Sequence, residues 1–121
     1  MHIAVFGPGY FGGKEYTNYE HVAAVLNTVT DMLDISSVRT GGGKGVEQLA
    51  LKWAAINNTE AHVTPPNMKG DKDNAFIVRN REIIDATDVV VLLWDAMDDK
   101  YAKMLKECAQ RKQLVIMFGV E

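Results

Sequence analysis

Short apolar runs along the chain alternate with segments in which apolar residues recur every three or four positions. Five runs have the length and composition of β-strands: His2–Phe6, Ser36–Thr40, Glu60–Thr64, Val89–Trp94 and Leu114–Phe118. The fourth, VVVLLW, is apolar at every position, which is typical of a parallel strand that is covered on both faces. The chain is therefore predicted to build a sheet whose central strands are fully buried.

Between the runs, apolar stripes follow the helical period. The stripes are Val22, Val25, Leu26, Val29 and Leu33; Val46, Leu49, Ala50 and Trp53; Phe76, Asn80, Ile83 and Ile84; and Tyr101, Met104, Leu105 and Cys108. Alternating strands and helices predict a three-layer α/β fold, with an open, mostly parallel five-stranded Rossmann-like sheet and helices on both faces. Residues 1–121 are expected to form one domain.

The carboxyl ends of the predicted strands point to a candidate site, because ligands bind beyond this edge in open α/β sheets. Four segments follow the strand ends: Gly7–Gly13, Gly41–Gly45, Pro65–Asp73 and Asp95–Asp98. We expect them to meet at one edge of the sheet.

The first segment contains a G-x-G-x-x-G pattern, from Gly7 to Gly12, like that of dinucleotide-binding proteins. That pattern requires a helix that opens at the glycines and an acidic residue about 20 positions later. Here the helix is predicted to begin near Asn18 or Tyr19, with Thr17 and Glu20 as a capping box, and the second strand ends without a carboxylate. We interpret Gly7-Pro8-Gly9 as one wall of a crevice and Tyr10–Gly13 as a mobile flap above it.

The second segment, Gly41–Gly45, is the stronger phosphate-binding candidate. It holds four glycines in five positions, and the next helix opens near Gly45 and Val46. The free N–H groups and the dipole at a helix N-terminus favour an anion, and Lys44 adds a positive charge. A simple turn would need fewer glycines. Glu47 either stabilises the helix N-terminus or accepts a hydrogen bond from a ligand hydroxyl.

Polar residues elsewhere at this edge allow two interpretations each. Asn80 interrupts the third apolar stripe, so its amide either bonds to a neighbouring backbone or binds a ligand. Arg79 either reaches a phosphate or lies on the surface. Asp95 either contacts the ligand or caps the next helix, and the same alternatives hold for Asp98 and Asp99.

Composition narrows the classes of function. The net charge is −3 and the pI is near 5.6, which argues against nucleic acid as a partner. The single cysteine, Cys108, excludes an internal disulfide framework, fits a reducing cytoplasm and is predicted to lie in the core. The sequence shows no signal peptide and no apolar run of about 20 residues, so a cytoplasmic protein without membrane association is expected. The histidines lack metal-ligand spacing, and neither a metal nor a cofactor is predicted.

Two segments resemble the SLOG superfamily of Rossmann-like nucleotide-binding proteins, which includes LOG-type "lysine decarboxylase-like" proteins, the Rossmann domain of the DNA-processing protein DprA and YspA/YpsA-like proteins. TGGGKGVEQLALKWA is similar to the family segment GGA-x-G-x-D-x-L-A, and NAFIVRNREIIDATDVVVLLWD is similar to AG-x-x-RN-x-x-M…AD…FWDG. The matching residues are Gly42, Gly43, Gly45, Leu49, Ala50, Arg79, Asn80, Asp88, Trp94 and Asp95. Glu47 stands where the family usually has aspartate.

The departures from the family bear on activity. Lys100 and Tyr101 occupy the approximate place of a Gly-Thr pair, and Met104 stands where LOG-type phosphoribohydrolases carry a glutamate. A nucleoside deoxyribosyltransferase would need the same features. The resemblance implies a homo-oligomer that binds nucleotides, and the departures indicate that it lacks LOG-type chemistry.

Three functional hypotheses follow. The leading one is a small protein that binds a nucleotide or a nucleotide-derived phosphorylated ligand. The second is an enzyme that cleaves a nucleotide's N-glycosidic bond with Asp95, Asp98 or Glu47 as its carboxylates. The third is binding of single-stranded DNA, as in DprA, which the acidic charge opposes. The predicted ligand-binding residues are Gly7, Pro8, Gly9, Gly41, Gly42, Gly43, Lys44, Gly45, Glu47, Arg79, Asn80 and Asp95.

Overall fold

The computed structural model describes residues 1–70, 72–96 and 99–120. Along these residues the elements are β1 (His2–Phe6), β2 (Tyr10–Phe11), β3 (Lys14–Glu15), α1 (Tyr19–Met32), β4 (Ser37–Thr40), α2 (Val46–Ile56), β5 (Glu60–Val63), α3 (Lys72–Asp85), β6 (Val89–Trp94), α4 (Asp99–Gln110) and β7 (Leu114–Gly119). The five predicted strands are present, and their bounds differ from the predicted ones by at most one residue.

The main sheet has the strand order β5-β4-β1-β6-β7, and every neighbouring pair is parallel. From β1 the chain moves outward through β4 to β5 and then returns to the other side of β1 with β6 and β7. The order therefore reverses between β1 and β6, which is the position where ligands bind in such sheets. The predicted three-layer α/β architecture is confirmed.

The two faces of the sheet carry separate cores. On β1, Ile3 and Val5 pack with α1 and α2, whereas Ala4 and Phe6 pack with α3 and α4. This follows from the alternation of side chains along a strand. All residues of β6 from Val89 to Leu93 are buried, as the continuous apolar run predicts.

Helix α1 begins at Tyr19, where it was expected, but a different residue caps it. The side chain of Asn18 accepts a hydrogen bond from the N–H of His21 at 3.2 Å. The predicted capping box of Thr17 and Glu20 is therefore wrong, since Asn18, one position later, is the N-cap of the helix.

The stripe predicted for α3 is only partly correct. Ile83 and Ile84 are buried, but Phe76 is 43% exposed and Asn80 is partly exposed. Ala75, the partly buried Arg79 and Ile83 follow each other at four-residue spacing, so the arginine belongs to the inward side of the helix. This part of α3 buries Ala75 and partly buries Arg79, whereas the large apolar side chains of Phe76, Ile77 and Val78 remain exposed.

The segment predicted as a mobile flap is a β-hairpin. Tyr10 pairs with Glu15, Phe11 pairs with Lys14, and the turn is formed by Gly12 and Gly13 at φ +62° and +79°. Two successive residues with positive φ are typical of a type I′ turn, which glycine adopts most easily. Strands of two residues are too short to show a period in the sequence.

Among the helices in the described part of the chain, none has the combination of length and apolar character that crossing a bilayer requires.

Candidate functional site

Two loops meet at the carboxyl edge of the sheet: the β1 loop (Gly7–Gly9) and the glycine loop (Gly41–Gly45). The N–H of Val46 donates a hydrogen bond to the carbonyl oxygen of Pro8 at 3.2 Å. A Cβ atom on Gly45, whose φ is +81°, would lie 2.5 Å from the same oxygen, and a Cβ on Gly7 would lie 2.5 Å from Cγ1 of Val46. Gly45 is required because its backbone packs directly against the backbone of Pro8 and Gly9, and Gly7 is required because the side chain of Val46 packs against it.

The side chain of Glu47 is hydrogen-bonded to the backbone of the glycine loop. Its side chain is buried, and Oε1 accepts a hydrogen bond from the N–H of Gly43 at 3.1 Å. A carboxylate in the first turn also interacts favourably with the helix dipole. The structure shows Glu47 bonded to the loop through one oxygen, and its interpretation as an acceptor for a ligand hydroxyl stays a prediction.

Arg79 extends from α3 to the glycine loop. Its Nη1 lies 3.5 Å from the carbonyl oxygen of Gly41, a long and weak hydrogen bond. A Cβ on Gly41 would lie 2.2 Å from this Nη1 and 2.9 Å from Oε1 of Glu47, so glycine leaves room for both charged groups. The guanidinium also lies over the ring of Phe76, 5.3 Å from its centroid. Arg79 therefore lies against the glycine loop and is not an ordinary surface residue.

The glycine loop retains unused hydrogen-bond donors. Within the described residues, no protein acceptor pairs with the backbone N–H of Gly42, Lys44 or Glu47. The hydroxyl of Thr40, the fully buried residue directly before the loop, likewise has no partner there. Together with the exposed Lys44 and the guanidinium of Arg79, these donors make the loop suited to an anion.

Arg79 and Asn80 line different cavities. Arg79 lines a cavity of about 240 Å³, together with Pro65, Asn67 and Lys69 of the segment before α3. Asn80 lines a groove between α3 and α4. Its Oδ1 accepts a hydrogen bond from Nε of Arg79 at 2.9 Å, so its partner is a side chain and not the neighbouring backbone that the sequence suggested.

The candidate catalytic carboxylates that the structure describes lie at different elements of the fold. Asp95 is exposed directly after β6, Asp99 is exposed at the start of α4, and Asp98 lies outside the described residues. Met104, at the position of the family glutamate, is buried in the core. Among the described residues, no cluster of His, Cys, Asp or Glu side chains is suited to a metal ion.

Glu107 is held away from the glycine loop, in ion pairs on the outer side of α3 and α4. It contacts Nη2 of Arg81 at 2.7 Å and also pairs with Arg111. Hydrogen bonds from Arg81, and then from Arg111, lower the pKa of the Glu107 carboxyl below its ordinary value. Its arrangement serves the packing of the two helices.

Sequence reasoning missed two buried polar atoms that have no partner among the described residues, the hydroxyl of Thr40 and the indole Nε1 of Trp94. Thr40 offered no signal, because a threonine at the end of a strand is common. The inward position of Arg79 did leave a signal, which is its four-residue spacing from Ala75 and Ile83.

No model of a known protein family matches the chain, and no curated protein matches it.

Proposed function

We propose that the protein binds a nucleotide or another phosphorylated small molecule at the carboxyl edge of the sheet, against the glycine loop. The observation that carries this proposal is the set of unpaired N–H groups at Gly42, Lys44 and Glu47 beside the guanidinium of Arg79. The position also agrees with the chain reversal between β1 and β6, next to which ligands bind in related architectures.

Phosphate oxygens match the chemistry of these donors. Backbone N–H groups at a helix N-terminus bind an anion without moving, and arginine offers two parallel N–H groups to a phosphate. Arg79 is already positioned by Asn80 and Phe76, so less side-chain freedom is lost when it binds. Lys44 is exposed and adds a mobile charge.

The carboxylate of Glu47 favours a phosphate ester over inorganic phosphate. It places a negative charge beside the same loop, and its contact with the N–H of Gly43 uses one oxygen. A ligand with sugar hydroxyls supplies donors for the carboxylate and phosphate oxygens for the N–H groups. A nucleotide has both.

Binding without N-glycosidic cleavage is the function we propose. Glu47 is engaged by its own loop, and Met104 presents an apolar side chain to the core at the position where the resemblance would require a glutamate. The net charge of −3 disfavours single-stranded DNA. From the resemblance to the SLOG superfamily we further propose a cytoplasmic homo-oligomer. Light scattering measures the mass of this oligomer.

Thermal unfolding with a panel of compounds tests the proposal. The panel contains nucleoside mono-, di- and triphosphates, dinucleotides, the matching nucleosides without phosphate, and inorganic phosphate. A ligand at 100 times its Kd adds about 2.7 kcal/mol to the free energy of unfolding. Only phosphorylated compounds are expected to raise Tm, and Arg79→Gln is expected to weaken their binding about tenfold, a loss of about 1.4 kcal/mol.

Arg81→Gln is the matched control, because Arg81 lies on the same helix and pairs with Glu107. The proposal fails if no phosphorylated compound raises Tm. It also fails if Arg79→Gln and Arg81→Gln weaken binding equally.

A further inference from the structure

A second cavity lies between α3 and α4, apart from the two loops. Its volume is about 320 Å³, and its apolar walls come from Ile77, Ile84 and Met104. This volume is at the lower end of the range for small-molecule sites, which are mostly apolar with a few well-placed polar groups. Asn80 is one such group, since its Oδ1 is bound by Arg79 while its amide N–H₂ has no acceptor among the described residues.

The rim of this groove is positively charged in a protein whose overall charge is negative. Lys100, Lys103, Lys106 and Arg81 line it, opposed by a single carboxylate, that of Glu107. That carboxylate is already shared between Arg81 and Arg111. Lys103 and Lys106 form no ion pair with any residue that the structure describes.

We propose that the α3–α4 groove is a binding site for a small organic anion with an apolar body, such as an aryl or acyl carboxylate. The apolar body packs on Ile77 and Met104, and the anionic group lies toward Lys103 and Lys106. Charge complementarity selects an anion, since an anion entering here meets Lys103 and Lys106, which form no ion pair with any described residue. The site is separate from the glycine loop and does not depend on the proposed nucleotide binding.

The dimensions of the groove favour a small molecule over a polypeptide. The three lysines span seven residues of one helix, a rise of about 9 Å. A docked helix would extend beyond this distance and meet the ion pairs of Arg81 and Arg111 with Glu107. A ligand of one or two rings fits the space above Ile84.

Titration of the full chain with the anionic dye anilinonaphthalene sulfonate tests the proposal. We expect saturable binding of one dye per chain, weakening with added salt, and displacement by naphthoate. Lys103→Glu is expected to reduce affinity at least about tenfold, because it replaces attraction by repulsion. Ile77→Gln is expected to reduce it without changing the salt dependence.

Two controls separate this groove from other surfaces. Lys52→Glu reverses a charge on α2, on the opposite face of the sheet, and Phe11→Ser removes an exposed aromatic side chain from the hairpin. Both variants are expected to bind the dye like the wild type. Urea unfolding checks each variant for folding, and Lys103→Gln replaces Lys103→Glu if the latter does not fold.

The proposal is overturned if Lys103→Glu, or its replacement, binds the dye like the wild type, or if Lys52→Glu loses affinity equally. It is also overturned if light scattering shows a wild-type dimer that Lys103→Glu or Lys103→Gln dissociates, because the groove would then be an interface between copies. Loss of nucleotide binding with retained dye binding would contradict only the proposed function.

Discussion

The N–H of Val46 and the carbonyl oxygen of Pro8 form a hydrogen bond of 3.2 Å that joins the first turn of α2 to the loop after β1. A first-turn donor of the helix is thus used within the protein. A bound anion would therefore be held by other donors of the loop, such as the N–H groups of Gly42, Lys44 and Glu47. The same contact brings the two backbones so close that Gly45 cannot carry a side chain without displacing Pro8.

Gly45→Ala is expected to lower the free energy of unfolding by roughly 2–5 kcal/mol, which combines left-handed backbone strain with overpacking. Gly12→Ala is the control, because Gly12 also has positive φ but its Cβ would meet no atom within 4 Å. It should cost only the strain, roughly 1–2 kcal/mol. Urea denaturation measures both, and equal losses would contradict the packing role of Gly45.

Glu47→Gln is expected to strengthen the binding of inorganic phosphate roughly three- to tenfold, since about 1 kcal/mol of repulsion beside the loop is removed. Nucleotides should gain less, or lose affinity, because glutamine is a weaker acceptor for a sugar hydroxyl than a carboxylate is. Isothermal titration calorimetry with both ligands separates the two effects. Unchanged affinity for both would show that Glu47 is not adjacent to the bound phosphate.

The fold was predictable because its signals are local and redundant. The continuous run of β6 indicated a buried parallel strand, and the spacing from Val22 to Val29 indicated the inner face of α1, both as observed. The hairpin of Tyr10–Glu15 was not predictable, since two-residue strands have no period. The predicted apolar stripe of α3 was only partly correct, because Phe76 fits the helical spacing but lies near the end of the helix, where its side chain is exposed.

The meeting of the two loops was predictable, but the contacts between them were not. Strand ends and glycines identified the two loops, and the structure shows that they meet. The sequence does not reveal which glycine is needed for packing, because the contacts of Gly45 with Pro8 and of Gly41 with Arg79 join distant segments. The role of Glu47 at Gly43 was one of the two alternatives that its place in the first turn left open.

Cys108 is predicted to react slowly in the folded protein. It is buried in the core of α3 and α4, and this burial raises the pKa of its thiol. Labelling with dithiobis-nitrobenzoate should therefore require local opening. An opening free energy of about 3 kcal/mol makes labelling roughly a hundredfold slower than in the urea-unfolded chain. Cys108→Ala is the blank, and equal rates in native and unfolded protein would contradict a core role.

Glu107→Gln is expected to destabilise the protein at neutral pH and to become harmless in acid. Hydrogen bonds from Arg81 and Arg111 lower the pKa of Glu107 in the folded state below its ordinary value of 4.5. The stabilisation is therefore present above that value and is lost as pH falls through the lower, folded-state pKa. Urea denaturation from neutral pH down into acid should show the free energies of unfolding of the wild type and the variant becoming equal. Added salt should narrow the gap at neutral pH, since the pairs are exposed to solvent. Glu82→Gln is the control, because Glu82 lies on an exposed part of α3 and forms no ion pair with any described residue; the difference in free energy of unfolding between it and the wild type should not change with pH in this way. A difference between wild type and Glu107→Gln that stays constant with pH would contradict the stabilising role of the Glu107 ion pairs.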